Sequence, residues 1–280
     1  MADQFMRAGT EVSALIPEVW SAAFVPYLKE KLPLIGWVSK KYQGDIRALG
    51  DIVNITSIPQ FDIAEDITED QKVDAVTVTA TNTQLTINKQ SARDFVLTGL
   101  ALAQSIDAQA ELRDRVMHSI ARRMQANIVA AISPSSASPD HQIGFTSGST
   151  LGLADLLSIK ELLDTQNVEM EGRKLVCAVA QEVDLFNISG FVSRDFIPAG
   201  SPLTSGAIQT PVLGFEVASS TELTNTVYGF HPLFMEMAVQ QEPALQQYDL
   251  GQQGYRAQRF NMTALYGVRQ ISNLRVVQIS

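Results

Sequence analysis

The hydrophobic pattern is clearest over residues 105–132, where apolar side chains recur at steps of three or four, apart from one longer step. This spacing puts them on one face of an α-helix, and Ser105 can act as its N-cap. The predicted helix has about 28 residues and is about 42 Å long. Its apolar face holds Ile106, Ala110, Met117, Ile120, Met124, Ile128 and Ala131, and its other face holds Glu111, Arg113, Asp114, Arg115, Arg122 and Arg123.

Two earlier segments have the character of β-strands. Residues 51–59, DIVNITSIP, alternate in polarity, and residues 76–88, VTVTATNTQLTIN, are rich in β-branched side chains. The pattern predicts an extended two-stranded hairpin with a charged connection. That connection carries Asp62, Glu65, Asp66, Glu69, Asp70 and Asp74 beside one base, Lys72.

After the long helix, helical and strand periods alternate, which predicts a compact α+β block. The predicted helices cover 152–166 and 181–189, and the predicted strands cover 173–180 and 210–220. Residues 133–140 and 193–206 are predicted loops because they are rich in Pro, Gly and Ser. The C-terminal third predicts further strands at 234–241, 244–250, 255–272 and 274–280.

Residues 12–38 predict a short helix that starts near Pro17 and is interrupted by Pro26 and Pro33. The segment contains four aromatic residues, Trp20, Phe24, Tyr27 and Trp37, with no strand beside it to cover them. We therefore expect an arm that packs on something else, such as a neighbouring chain.

Composition narrows the class of protein. A chain of 280 residues with 45% hydrophobic and 18% charged residues can bury a sizeable core without staples. Its net charge of −9 gives no electrostatic footprint for coating DNA. We find neither a signal-peptide pattern at the N-terminus nor an apolar run of membrane-spanning length, so secretion by that route and membrane insertion are not expected.

Candidate chemistry is sparse. Cys177, the single cysteine, lies in the apolar run KLVCAVA, which predicts a buried thiol with a raised pKa and no disulfide. The histidines His118, His141 and His231 lack metal-site spacing and are expected at the surface or at helix caps. We find no phosphate-binding glycine motif and no GxSxG. We expect no cofactor, no metal and no enzymatic activity.

The acidic connection does not match a calcium-binding loop, because no glycine occurs between Asp62 and Val76. A pair of carboxylates there could in principle serve a glycosidase. With few aromatic residues nearby, the acids would keep pKa values near their usual range, so a solvated acidic loop is the better interpretation.

The order of elements resembles the major capsid protein of tailed double-stranded DNA bacteriophages, the Hong Kong 97-like fold. The resemblance rests on the helix SIDAQAELRDRVMHSIARRMQANIVAAI, on RKLVCAVAQEVDLFNI leading to PVLGFEVASS, and on Tyr266-Gly267-Val268 followed by Leu274-Arg275-Val276-Val277. It covers nearly the whole chain and implies an α+β fold.

In that family the elements carry names, and the resemblance implies a mapping of them. The N-arm would cover 1–42 and the extended β-hairpin called the E-loop 43–91. The P-domain with its long spine helix would cover 92–150 and 230–270, and the A-domain 151–229 and 271–280. These boundaries are expectations from the resemblance alone.

The implied function is mechanical. Copies would self-assemble into hexamers and pentamers of an icosahedral shell, built in the host cytoplasm, that encloses the double-stranded DNA genome without sequence-specific binding. A portal and a separate scaffolding protein, or no scaffold, would be the other partners, because the arm occurs within the first few tens of residues. An acidic lining suits a container whose DNA must move.

Two alternatives stay open at this point. An encapsulin-type bacterial nanocompartment shares the fold but encloses enzymes, and a carboxylate-dependent hydrolase would use Glu65 or Glu69. For the shell, we hypothesise that Glu65, Asp66, Glu69 and Asp70 face basic groups of a neighbouring subunit. The candidates are Arg113, Arg122 and Arg123 on the outer face of the long helix.

Overall fold

The computed structural model describes residues 29–43, 52–58, 61, 77–99, 108–188 and 212–280. The helices are α1 (Pro33–Trp37), α2 (Ala108–Ala131), α3 (Leu153–Thr165) and α4 (Val179–Leu185). The strands are β1 (Ile52–Ser57), β2 (Thr81–Thr86), β3 (Lys89–Thr98), β4 (Gln142–Ile143), β5 (Lys174–Ala178), β6 (Glu216–Ser220), β7 (Val227–Phe230), β8 (Met235–Asp249), β9 (Ala257–Gln270) and β10 (Val276–Ile279).

A five-stranded mixed sheet, in the order β4-β10-β7-β5-β6, separates two apolar cores. Successive residues of β5 point to opposite faces, so Val176 joins the core beneath α2 while Leu175 and Cys177 join the core beneath α3 and α4. The helix α3 approaches β7 closely at Gly229, where an added Cβ would overlap the side chain of Ile159. The helices α3 and α4 and the strands β5 and β6 confirm the elements predicted from the sequence. The strand β7 was not predicted.

The long helix is confirmed, and its predicted buried face is confirmed at Ile120, Met124 and Ile128, with Val116 in place of Met117. Its fully or nearly fully buried apolar residues are Val116, Ile120, Met124 and Ile128. The assignment of Met117 to this face is wrong, since Met117 is 42% exposed. One residue along a helix is about 100° round its axis, which takes Met117 off the face that Val116 occupies. The predicted cap Ser105 lies outside the described residues.

A three-stranded antiparallel sheet, in the order β3-β9-β8, packs on α2 through Met262, Ala264 and Tyr266. The sequence pattern did not predict β3. It also divided β8 into two strands around Pro243. The structure has one strand there, whose pairing with β9 is irregular between Val239 and Ala244. An irregular stretch on an edge strand is where a sheet tolerates proline.

The predicted hairpin is confirmed as an antiparallel pair of β1 and β2, from Ile52 opposite Thr86 to Ser57 opposite Thr81. Its base packs on the three-stranded sheet, where Ile55, Leu85 and Ile87 are buried with Ala238.

Gly267 explains why the base can lie so close. β3 begins at Lys89 opposite Tyr266, so the chain crosses over β9 one residue further on, at Gly267. A Cβ added to Gly267 would overlap the carbonyl oxygen of Thr86. The glycine of the Tyr266-Gly267-Val268 pattern therefore permits the backbone of the hairpin to seat on the sheet.

The described part of the N-terminal segment differs from the prediction in two ways. Pro33 does not interrupt a helix but begins one, because it occupies the first turn of α1, where a missing N–H costs nothing. Trp37 packs on its own chain, with its ring centroid 6.4 Å from that of Phe230 and the Lys174 ammonium 5.2 Å from the indole. Trp20, Phe24 and Tyr27 lie outside the described residues, as does the predicted loop 193–206.

Candidate functional site

The acidic connection of the hairpin, with Glu65, Asp66, Glu69 and Asp70, lies outside the described residues. The described ends of the hairpin next to it are apolar and uncovered. Ile58 is 69% exposed, Phe61 64% and Val78 46%. Isolated exposed apolar residues are ordinary, but three at one end of a hairpin mark a surface suited to contact with another molecule.

The three arginines predicted as the receiving surface have different surroundings. Arg122 is already paired within the chain, with Nη1 2.9 Å from Glu30 Oε1 and Nε 2.8 Å from Glu222 Oε1. Arg113 and Arg123 are exposed, and no ion pair involves either of them among the described residues. Arg122 therefore forms ion pairs within its own chain, whereas Arg113 and Arg123 are exposed to solvent.

Glu30 holds the N-terminal segment on α2. Its Oε2 lies 2.6 Å from His118 Nε2, in addition to its contact with Arg122. The hydrogen bond with His118 and the charge of Arg122 hold the pKa of Glu30 below its usual value. The preceding residue repeats the pattern, because Lys29 Nζ lies 2.6 Å from Asp114 Oδ2. The segment before α1 is therefore attached mainly by polar contacts.

Arg123 lines a cleft of about 310 Å³ between α2 and β3. The other lining residues are Gln90, Ser91, Ala92, Arg93, Ser119 and Ile120. Arg93 is exposed and, like Arg123, has no ion pair within the described part of the chain. Two unpaired guanidinium groups beside hydroxyl and amide groups favour the binding of carboxylates or other oxyanions at this cleft.

The floor of this cleft is fixed by a buried polar chain. The hydroxyls of Ser91 and Tyr266 lie 2.9 Å apart, and Asn127 Nδ2 donates to the Tyr266 hydroxyl at 2.6 Å. These bonds tie β3, β9 and α2 together, so the two arginines are carried by elements that are rigidly joined. Sequence reasoning missed Arg93 because it missed β3.

The groups that could carry catalysis are placed for structure instead. Burial raises the pKa of Cys177 to about 12, as expected from its apolar neighbours. His231 accepts a hydrogen bond from the Leu233 N–H at 3.4 Å, in the capping role that was predicted. The expectation of a surface or cap position is wrong for His141, which is fully buried with Nδ1 2.9 Å from the Val276 carbonyl.

Metal-binding clusters and helices that could span a membrane are both absent from the described ranges. No group of three or more histidine, cysteine, aspartate or glutamate residues there could hold a metal ion. No helix of that part of the chain is long and apolar enough to cross a membrane.

No protein-family model matches the chain, and no curated protein sequence matches it. Solved structures do match. The capsid of cyanophage P-SCSP1u has a TM-score of 0.73 at 12% identity, over 97% of this chain and 94% of the other. The capsid of cyanophage Pam1 has a TM-score of 0.70 at 13% identity, over 100% and 98%. A structure from Mycobacterium phage Che8 has a TM-score of 0.68 at 20% identity, over 95% and 97%.

These matches span nearly the full length of both chains. At such low identities the likeness concerns the fold. The chain has the phage capsid fold that its sequence resemblance implied.

Proposed function

We propose that this chain is the major capsid protein of a tailed bacteriophage and assembles with copies of itself into hexamers and pentamers of an icosahedral shell. The observation that carries the proposal is the fold match to phage capsids over 94% or more of both chains. The uncovered apolar residues at the end of the hairpin support it, because they lack a cover in the described chain.

The remaining features follow from the same proposal. The shell encloses double-stranded DNA without sequence-specific contacts, which agrees with the net charge of −9. A portal and a separate scaffolding protein are the expected partners, assembly takes place in the host cytoplasm, and the mature location is the virion. The role is structural rather than enzymatic. The division into N-arm, E-loop, P-domain and A-domain given above remains part of this proposal.

Expression with and without a scaffolding protein, followed by sedimentation and negative-stain electron microscopy, tests the proposal. We expect capsomers or closed shells. A chain that stays monomeric under every assembly condition would refute it. Shells that contain enzyme cargo instead of DNA would indicate a nanocompartment, an alternative that the matched phage capsids do not favour.

Within the shell, we propose that Glu65, Asp66, Glu69 and Asp70 contact a neighbour through the cleft between α2 and β3. Arg123 remains a candidate partner, and Arg93 joins it because both line that cleft without an ion pair in the described chain. Arg113 stays a candidate on the exposed face of α2. Arg122 is the weakest of the predicted partners, since two carboxylates of its own chain already bind it.

Charge reversal tests this contact. Glu69→Arg with Asp70→Arg should impair shell formation without unfolding the subunit, and so should Arg93→Glu with Arg123→Glu. Combining all four changes should restore assembly if the groups meet. Arg115→Glu is the matched control, because Arg115 lies on the same helix and pairs with Glu111 at 3.0 Å. Normal assembly of both double variants would refute the contact.

A further inference from the structure

We propose that residues 77–80 of one copy add a fourth strand to the three-stranded sheet of a second copy, along residues 244–249 of β8. The inference rests on the proposed shell function, because the partner is another copy of this chain. It adds a backbone contact to the side-chain contacts considered above, and it involves different residues.

The receiving edge is open and regular. β8 is an outer strand of its sheet, and residues 244–249 pair with β9 without interruption, from Ala244 opposite Thr263 to Asp249 opposite Gln258. On its other side, β8 is joined only at Glu236, by a bridge to Ser39, among the described residues. The residues of this stretch are exposed, and only Asp249 is charged. Natural edge strands are usually protected by lysine, proline or a bulge, so an unprotected stretch of six residues favours strand addition.

The donor segment is a strand sequence without a strand partner. Residues 77–80 read TVTA, continue β2 towards its N-terminal side, and form no ladder in the described structure. The β1–β2 ladder ends at Ser57 opposite Thr81, and Pro59 follows two residues later in the sequence. Proline has no N–H to donate, so the ladder cannot continue regularly past it. Val78 is 46% exposed as a result.

The two segments match face by face. On β8, Leu245 lies opposite Met262 and is on the apolar face of the sheet, whereas Gln246 lies opposite Asn261 on the polar face. In residues 77–80, Val78 and Ala80 fall on one side and Thr77 and Thr79 on the other. Pairing the apolar sides fixes which faces align.

The direction follows from the sheet itself. All of its pairs are antiparallel, and antiparallel pairs are the more stable per residue. An antiparallel addition with the apolar sides aligned places Val78 opposite Gln247 and Ala80 opposite Leu245. The reverse direction would place Val78 opposite Leu245 with Ala80 opposite Gln247, or Val78 opposite Gln247 with Ala80 opposite Asp249. The alternatives differ in which residues become direct neighbours.

Disulfide trapping tests both the contact and its direction. Directly opposite residues of an antiparallel pair have Cα atoms about 4.5–5.5 Å apart, which suits a disulfide, whereas diagonal neighbours are about 7–8 Å apart. Assembled Val78→Cys/Gln247→Cys and Ala80→Cys/Leu245→Cys chains should form a ladder of covalent multimers on a non-reducing gel. Val78→Cys/Leu245→Cys and Ala80→Cys/Gln247→Cys are matched controls that should not. Cys177 can stay in place, because it is buried.

Each outcome has one meaning. Shells without a ladder would overturn the pairing while leaving the shell function intact. A ladder in the two controls alone, or in Val78→Cys/Gln247→Cys without Ala80→Cys/Leu245→Cys, would overturn the direction. A cross-linked monomer would overturn the proposal in favour of pairing within one chain. Dimers formed by the single variant Gln247→Cys would overturn it in favour of two β8 edges pairing with each other. If a cysteine variant fails to assemble, hydrogen exchange on wild-type shells tests the pairing instead. The backbone amides of residues 77–80 and 244–249 must then exchange more slowly in shells than in unassembled subunits. A wild-type chain that never assembles would refute the proposed function itself.

Discussion

Replacing Gly267 by alanine should loosen the seat of the hairpin on the sheet. The added Cβ would lie 3.0 Å from the Thr86 carbonyl carbon and 3.2 Å from Ile87 Cα, besides overlapping the Thr86 oxygen. Carbon atoms prefer separations of about 3.5–4.0 Å, and the obstacles are backbone atoms that cannot rotate away. The overlap with the Thr86 oxygen is the tightest, so the hairpin must move by about 0.6–1 Å, and overpacking of this kind costs about 1–3 kcal/mol.

The hairpin should shift rather than detach. Detachment would expose Ile55, Leu85 and Ile87, and each such side chain contributes about 1.5–3 kcal/mol when buried. That sum exceeds the cost of the clash. For the unassembled subunit we expect the melting temperature to fall by about 2–10 °C. Assembly should suffer more than stability, because a tilt at the base displaces the far end of a hairpin whose strands are about 20 Å long.

Differential scanning fluorimetry of unassembled subunits and sedimentation of assembly reactions measure the two effects. Gly36→Ala is the matched control, because nothing lies within 4 Å of the position that its Cβ would take. In a helix this change should be neutral or slightly stabilising. A Gly267→Ala variant that melts and assembles like Gly36→Ala would refute the steric account of the hairpin seat.

Three further predictions concern other parts of the chain. Arg173→Ala should lower the free energy of unfolding of the subunit by about 2–3 kcal/mol in denaturant titrations, because the buried guanidinium of Arg173 donates to the carbonyls of Val168 and Glu169. Arg275 is partly exposed, so the control Arg275→Ala should have little effect. The difference in melting temperature between wild type and Glu30→Gln should be full at neutral pH and shrink as the pH falls below the usual glutamate value of 4.5. It should vanish only below the lowered pKa of the folded-state carboxyl, since that group stabilises the fold while it is ionised. A difference that does not shrink between neutral pH and pH 3 would show that the ion pairs of Glu30 are not its cause. Cys177, with its pKa raised to about 12, should resist a thiol reagent at pH 8 until the chain unfolds, and rapid labelling of the native subunit would contradict its burial.

The sequence was most informative where one face of an element is buried and the other is not. The spacing in α2 and α3 and the apolar run of β5 are direct consequences of packing against a core, so those elements were predictable. Even there one residue of α2, Met117, was assigned to the wrong face. Helical spacing alone allows either Val116 or Met117 to precede Ile120, and only tertiary packing selects the first.

The elements that the sequence missed have mixed surroundings. β3 contains Arg93 and Asp94 because one of its faces borders the cleft and the other is polar, so no alternation marks it. The cleft was unpredictable for the same reason. The ion pairs of Arg122 could not be foreseen either, since Glu30 and Glu222 are far away in the sequence and meet it only in the folded chain. The acidic segment was visible from composition alone, yet its partner depends on an assembly that one chain does not contain.

The two proposed contacts between copies should differ in their response to salt. Adding four residues to an edge forms about four backbone hydrogen bonds, each contributing about 0.5–1.5 kcal/mol, and salt screens them little. Exposed ion pairs contribute about 0–1 kcal/mol each and weaken as the Debye length falls from about 10 Å at 0.1 M salt to about 3 Å at 1 M. We therefore expect Arg93→Glu with Arg123→Glu to flatten the salt dependence of shell dissociation. Val78→Pro with Thr79→Pro removes a donor from the added strand, because one of two consecutive residues must face its partner, and it should lower shell stability equally at both salt concentrations. If instead this double proline variant flattens the salt dependence and the arginine variant does not, the assignment of strand pairing and ionic contact to these two surfaces is wrong.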